Sequence, residues 1–290
     1  MGSYMLGAIM GDICGSPWEG GYCRDKSFDL FVPGASITDD TVCTVAVAHA
    51  LLTGTPIADC LRAWCKRYPG MGYGSQFNLW VYRAGMGPYN SWGNGGAMRV
   101  SACGWLARSL EEAERLAEET AAITHNHIEG LRGARAIAGV LWLARQGLSA
   151  KELAETAMSR YDYELGLSVF ERAEQNPGGT EAKDTVPIAL DCALQASSVR
   201  DAIHRAVYIG GDSDTTASMA AAIAEARFGL TQDEYKQVMT MVPDEMHPII
   251  HGVYTRAGVQ AFHDTPATEE EGDTDVSLPW WRIWWLRLFS

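Results

Sequence analysis

Two short acidic runs are the residues of this chain best suited to chemistry. They are Thr38-Asp39-Asp40-Thr41 and Gly210-Gly211-Asp212-Ser213-Asp214-Thr215. Each puts two carboxylates and a threonine hydroxyl at the entrance of a helical run. Oxygen-only donors of this kind are hard ligands, suited to Mg²⁺ or Mn²⁺ more than to Zn²⁺. The N–H groups of a first helical turn stabilise carboxylates there as well. Ordinary helix capping explains either run by itself. Together they read differently, because each leads into an Ala- or Val-rich and therefore buried helix with no Lys or Arg within several residues. Buried carboxylates need partners, and cations are the natural ones.

Three further segments add to these. Gly93-Asn94-Gly95-Gly96-Ala97-Met98-Arg99 places glycines ahead of a helix, where bare N–H groups suit a phosphate; a plain turn is the alternative. Gly7-x-x-x-Gly11-Asp12-x-x-Gly15-x-Pro17-x-Glu19 ends in a loop acid able to reach a site, or simply facing solvent. Thr124-His125-Asn126-His127 resembles half of a zinc site, but no Cys or third His stands at ligand spacing, so a ligand-contacting histidine or a capped helix start is expected instead.

The elements that must position these residues are helices. Tyr4–Cys14 reads as a helix whose Gly7, Gly11 and Gly15 form a groove for another helix or a ligand. A loop from Gly15 to Ile37 leads to helices at Asp39–Leu52 and Ile57–Arg67. The Gly-, Tyr- and Trp-rich stretch Tyr68–Gly93 is read as a functional loop with one short helix near Phe77–Arg83. Helices are then expected at Gly96–Arg108, Leu110–Thr124 and Ile128–Arg145, and after the capping box Ser149/Glu152. Beyond a polar break at Gln175–Gly179, they resume at Val186–Gln195, Ser198–Tyr208, Ser213–Phe228 and Gln232–Met241, with Pro243 and Pro248 interrupting the chain after Met241. No alternating strand pattern is present, so the fold class is all-α in one domain.

Composition narrows the function. The chain has 290 residues and a formal charge of −13, which argues against gripping a nucleic-acid backbone. Seven cysteines, an odd number without a C-x-x-C, read as reduced and mostly buried thiols of a cytoplasmic protein. The apolar run Met5–Met10 has no basic region before it, so no secretory signal is expected, and no uncharged run is long enough to span a membrane. Residues 1–262 are assigned to the helical domain and 263–290 to an acidic connection and a tail with Trp280, Trp281, Trp284 and Trp285. That tail is expected to dock on the chain or at a homo-oligomer contact.

Taken together, Gly7–Glu19, Thr38–Thr41, Ser91–Arg99, Thr124–His127 and Gly210–Thr215 resemble the ADP-ribosylglycohydrolase family, in that family's order. The resemblance implies a compact multi-helix domain with a site for two divalent cations, Mg²⁺ or Mn²⁺. Thr38, Asp39 and Asp40 would hold one side of it, and Asp212, Asp214 and Thr215 the other, with Asp214 bridging. Glu19 matches a mobile-loop glutamate. Ser91, Gly93, Asn94 and Gly95 match phosphate and ribose contacts, with Gly96 and Met98 in the same ligand-binding segment, and His125 matches a histidine near the ribose or diphosphate. Asp39 or Glu19 would activate the water.

The activity so implied is hydrolysis of the bond between ADP-ribose and an acceptor, with ADP-ribosyl-arginine in protein expected first. ADP-ribosyl-serine, O-acetyl-ADP-ribose or a modified nucleobase remain alternatives, because Tyr68–Trp92 offers no Asp or Glu to pair with a guanidinium. A reading of another class is an immunity-type protein that occupies an ADP-ribosyltransferase toxin, with the Trp-rich tail as its interface.

Overall fold

The computed structural model describes residues 5–258 apart from Lys26. The acidic run, the Trp-rich tail and the boundary at residue 263 lie outside the described residues. Within them the chain forms fourteen α-helices and no strand, with two isolated bridges, Gly21 to Gly211 and Gly93 to Glu181.

The centre of the fold is the packing of α1 (Leu6–Gly15) on α12 (Ser213–Phe228). Every residue of α1 is buried, and so is α12 from Ser213 to Glu225. The glycine groove explains how the two come so close. A Cβ at Gly11 would overlap the Ala217 carbonyl and lie 2.6 Å from the Ser218 nitrogen; at Gly15 it would lie 2.6 Å from Asp214 Cα. The occupant of the groove is therefore a helix, and its register places Asp12 beside Asp214.

Around this pair stand α2 (Asp39–Thr53), α7 (Ile128–Arg145), α10 (Ala182–Gln195) and α11 (Val199–Ile209). Outer helices complete the bundle: α3 (Ile57–Arg67), α4 (Ser75–Tyr82), α5 (Ser101–Leu106), α6 (Leu110–Ala122), α8 (Ala150–Tyr161), α9 (Val169–Gln175), α13 (Gln232–Met241) and α14 (His247–Ala257). Capping sets most boundaries. Ser149, Ser168 and Thr231 each close a reciprocal capping box, and α2 stops at Gly54 in the left-handed region, φ 74°.

Three expectations need correcting. Gly96–Arg108 is not one helix. Asn94–Gly96 is a single 3-10 turn, further turns follow, and α5 starts only at Ser101. Adjacent glycines favour helix poorly, and Asn94 O instead takes the Ala97 and Met98 N–H groups at 2.7 and 2.9 Å. Helix α10 starts at Ala182, a turn before Val186, with Pro187 inside it. Helix α9, between α8 and the polar break, and helix α14 are additions to the helices expected from the sequence; Pro248 lies in the first turn of α14, where a missing N–H costs nothing, and does not interrupt it.

All seven cysteines are free, and six are buried. No helix among the described residues is long and apolar enough to cross a membrane.

Candidate active site

The N-termini of α2 and α12 meet at the floor of a cavity of about 850 Å³. Thr215 Oγ1 donates to Asp40 Oδ2 at 2.9 Å and joins the two acidic runs directly. Asp212 sits at the N-cap of α12 without a side-chain capping bond. Its Oδ2 accepts from Asn94 Nδ2 at 2.6 Å. Thr38 is a true cap of α2, accepting from Asp40 N at 3.2 Å.

Asp12 is the site residue whose role sequence reasoning missed. It is fully buried on α1. Its carboxylate accepts from Thr38 N at 2.9 Å, Thr38 Oγ1 at 2.6 Å and Thr41 N at 3.1 Å, and also from the Thr41 hydroxyl. It thus gathers the start of α2 onto α1. The usable signal was an acid inside the apolar run Leu6–Cys14 with no nearby base.

Asp12, Asp40 and Asp214 form a buried group whose ligand oxygens lie within 4.8 Å of one another. Asp40 Oδ1 and Asp214 Oδ1 are buried and unpartnered, while both Asp12 oxygens are occupied by donors. Burial, joined by neighbouring carboxylate charges, pushes Asp214 up to about 9 and Asp39 up to about 7, and raises Asp40 strongly. Burial also lifts Asp12 to about 6, against the hydrogen bonds from Thr38 and Thr41 that lower it. Unpaired buried oxygens on mutually repelling acids are a donor set that fits a hard divalent cation.

The other wall of the cavity is the glycine segment. Ser91, Gly93, Asn94, Gly95 and Met98 line it, as do His125, Thr180 and Glu181. Gly96 does not. It is buried behind the loop, where a Cβ would lie 3.0 Å from His125 Cβ. Asn94 lines the cavity while its amide also donates to Asp212. The segment is anchored by Asn94 N to Thr180 O at 2.8 Å and by Ala182 N to Trp92 O at 3.0 Å. Burial, with the Arg99 charge second, holds His125 well below the ordinary imidazole value, so the ring is neutral. His127 caps α7, accepting from Glu129 N at 3.2 Å, in keeping with the helix-start reading.

Glu19 is exposed at the cavity edge, on a loop pinned by Gly20 N to Gly211 O at 2.8 Å and Gly211 N to Gly21 O at 3.0 Å. Asp39 is half-buried and also lines the cavity, facing Gly72. The residues singled out in the sequence thus converge on one cavity, with Thr38 and Asp40 beneath its floor and Gly96 behind its wall.

An all-helical bundle thus sets buried acids, at the junction of two helix N-termini, across one cavity from a glycine loop. The chain belongs to the ADP-ribosylglycohydrolase family, which it matches over residues 3–246. It is an enzyme, a hydrolase of ADP-ribosyl glycosidic bonds. It is similar to ADP-ribosylhydrolase ARH3 of Bos taurus, at 27% identity over 79% of this chain and 84% of that protein. The human ARH3 is 26% identical over 79% and 85%, and an uncharacterized protein of Archaeoglobus fulgidus is 26% identical over 77% and 86%. Among solved structures, an ADP-ribosylglycohydrolase-related protein complex shares the fold at a TM-score of 0.67 and 21% identity, covering 87% of this chain and 96% of that one.

Proposed function

We propose that the enzyme removes ADP-ribose from a hydroxyl or ester oxygen, with divalent cations held by the buried carboxylates. The observation that carries this reading is the pair of unpartnered buried oxygens, Asp40 Oδ1 and Asp214 Oδ1, under a cavity whose opposite wall is a glycine loop with a neutral histidine. Asp39, Asp40, Asp212, Asp214, Thr38 and Thr215 are the residues proposed to hold the cations, with Asp12 securing the floor. Bound there, Mg²⁺ or Mn²⁺ supplies charge neutralisation and orients hydroxyl oxygens.

The protein residues divide the remaining work. Ser91, Gly93, Gly95 and Met98 seat the diphosphate and ribose, and His125 donates to them. Glu19, outside the buried group, takes the proton of the attacking water as the anomeric bond opens through an oxocarbenium-like state. Asp39 faces the acceptor end, where Gly72, Gly74, Ser75 and Gln76 form the wall. Apart from Asp39, proposed as a cation holder, that wall carries no carboxylate to pair with a guanidinium, which favours an oxygen-linked acceptor over the arginine expected first from the resemblance.

The test is a panel of ADP-ribosyl-serine, O-acetyl-ADP-ribose and ADP-ribosyl-arginine, in Mg²⁺, in Mn²⁺ and in EDTA. Turnover of an oxygen-linked substrate at least about 100-fold above the arginine conjugate, lost in EDTA, is expected. Faster cleavage of the arginine conjugate would reverse the acceptor assignment.

A further inference from the structure

Arg99 is a fully buried cation that pairs with no carboxylate among the described residues. Its Nη2 donates to Thr120 O at 3.0 Å and to Thr124 Oγ1 at 2.7 Å. Its Nε and Nη1 have no partner, and its nearest aromatic face, Phe77, lies 5.7 Å away. A guanidinium held this way is costly to bury. It borders the cavity from behind the glycine segment.

Thr124 hands the interaction on. Its Oγ1 lies 2.8 Å from His125 Nδ1, and it is fully buried. Proton accounting then decides the imidazole. Arg99 can only donate, so Thr124 Oγ1 accepts from it. The hydroxyl proton has one remaining acceptor within reach, His125 Nδ1. Were Nδ1 protonated, that buried hydroxyl proton would have no acceptor, at a cost of roughly 1–3 kcal/mol. Nδ1 is therefore the acceptor and Nε2 carries the proton. Nε2 faces the glycine segment, 3.7 Å from a Cβ position at Gly93 and 3.0 Å from one at Gly95.

We infer that Arg99 is a positioning residue which, through Thr124, fixes His125 as a neutral Nε2–H donor aimed at the anionic part of the bound nucleotide. The chain of donors runs one way, from a permanent cation to the wall of the cavity. The Arg99 charge stands behind that wall without its own counter-anion, so an incoming diphosphate meets both a donor and a positive field. The seating role rests on the ADP-ribosyl reading of the cavity; the tautomer does not.

Nitrogen NMR of His125 in the full chain, in Mg²⁺ buffer before any nucleotide is added, reads the tautomer directly. The wild type is expected to show an unprotonated Nδ1 and a protonated Nε2 throughout roughly pH 5.5–8. Thr124→Ser keeps the hydroxyl and should keep this pattern. Thr124→Val removes it, and the ring should exchange between tautomers while ADP-ribose binding by calorimetry weakens about tenfold. Arg99→Met should shift the ring titration upward, if that variant folds; the Thr124 pair decides the matter without it. A protonated Nδ1 in the wild type, or a Thr124→Val ring with an unchanged tautomer, would overturn the inference. A fixed tautomer in a wild type that binds no ADP-ribose would leave the relay standing and sink the functional reading instead.

Discussion

Thr215 on α12 donates its hydroxyl to Asp40 Oδ2 on α2 across 175 positions of the chain. That bond consumes one carboxylate oxygen and leaves Asp40 Oδ1 buried beside Asp214 Oδ1 with no protein partner. The two helix N-termini are therefore held together by this bond, while ionising both acids would set like charges against each other, which with burial holds their protons above the ordinary carboxylate range. On the proposed cation-binding reading, such an arrangement costs stability without a cation and gains it with one.

Asp40→Asn and Asp214→Asn should each lower turnover at least about 100-fold, and the double variant should fall little further, because both serve one centre. The same substitutions should leave the metal-free protein as stable as the wild type or more so, since each removes a buried acid that folding forces to take up a proton. Circular-dichroism melting in EDTA checks this. Loss of metal-free stability in both variants would mark these residues as caps instead of ligands.

Stability in EDTA should fall as pH rises. Asp12 at about 6, Asp39 at about 7 and Asp214 at about 9 all lie above the ordinary 3.8. In that interval the folded state binds more protons than the unfolded state, so unfolding free energy declines with pH from near 4 toward each folded value. Cations replace those protons, so the gain in melting temperature from Mg²⁺ or Mn²⁺ should grow between roughly pH 5.5 and 8. A pH-independent gain would show that the acids are already ionised before metal binds.

Gly11→Ala should destabilise the fold by about 1–3 kcal/mol through overpacking against α12. The added Cβ would lie 2.6 Å from the Ser218 nitrogen, one turn beyond Asp214. Separating α1 from α12 also separates Asp12 from Asp214, so cation affinity should weaken in the folded variant. Urea unfolding and a metal titration together test it; an unchanged midpoint would mean the helices have room to part freely.

Gly95→Val should weaken ADP-ribose binding with the fold retained. A Cβ there would stand 3.0 Å from His125 Nε2, so the side chain crowds the donor as well as the approach of the phosphate. Calorimetry should show about tenfold or greater loss, with an unaltered circular-dichroism spectrum. Unchanged affinity would return the segment to a plain turn.

The sequence by itself determined the helical architecture and pointed to most of the residues that the fold gathers at the cavity. Glycines every fourth residue in Leu6–Gly15, the capping box at Ser149, and Ala-rich runs behind the acids are local signals. Backbone sterics and side-chain reach act over a few residues, so helix starts such as Ile57, Ile128 and Ser213 were legible. The ends at Arg67, Arg145, Gln195, Phe228 and Met241 were legible as well, and the starts of α5 and α10 were not. The stretch after Gly96 carries helix-forming residues, yet a 3-10 turn and the burial of Arg99 won there, because a tertiary contact outweighs propensity.

What each acid does was decided only by the tertiary structure. Asp12 and Thr38 look unrelated in sequence, 26 positions apart, and become one hydrogen-bonded unit when α1 meets α2. Asn94 reads only as a ligand contact, and the fold adds a second role by bringing Asp212 within 2.6 Å of its amide. Arg99 reads as the end of a glycine motif until Thr124 arrives 2.7 Å away. Whether a carboxylate is a cap, an anchor or a ligand depends on which of its oxygens are already taken. Partners distant in sequence take them, and no local pattern counts those bonds.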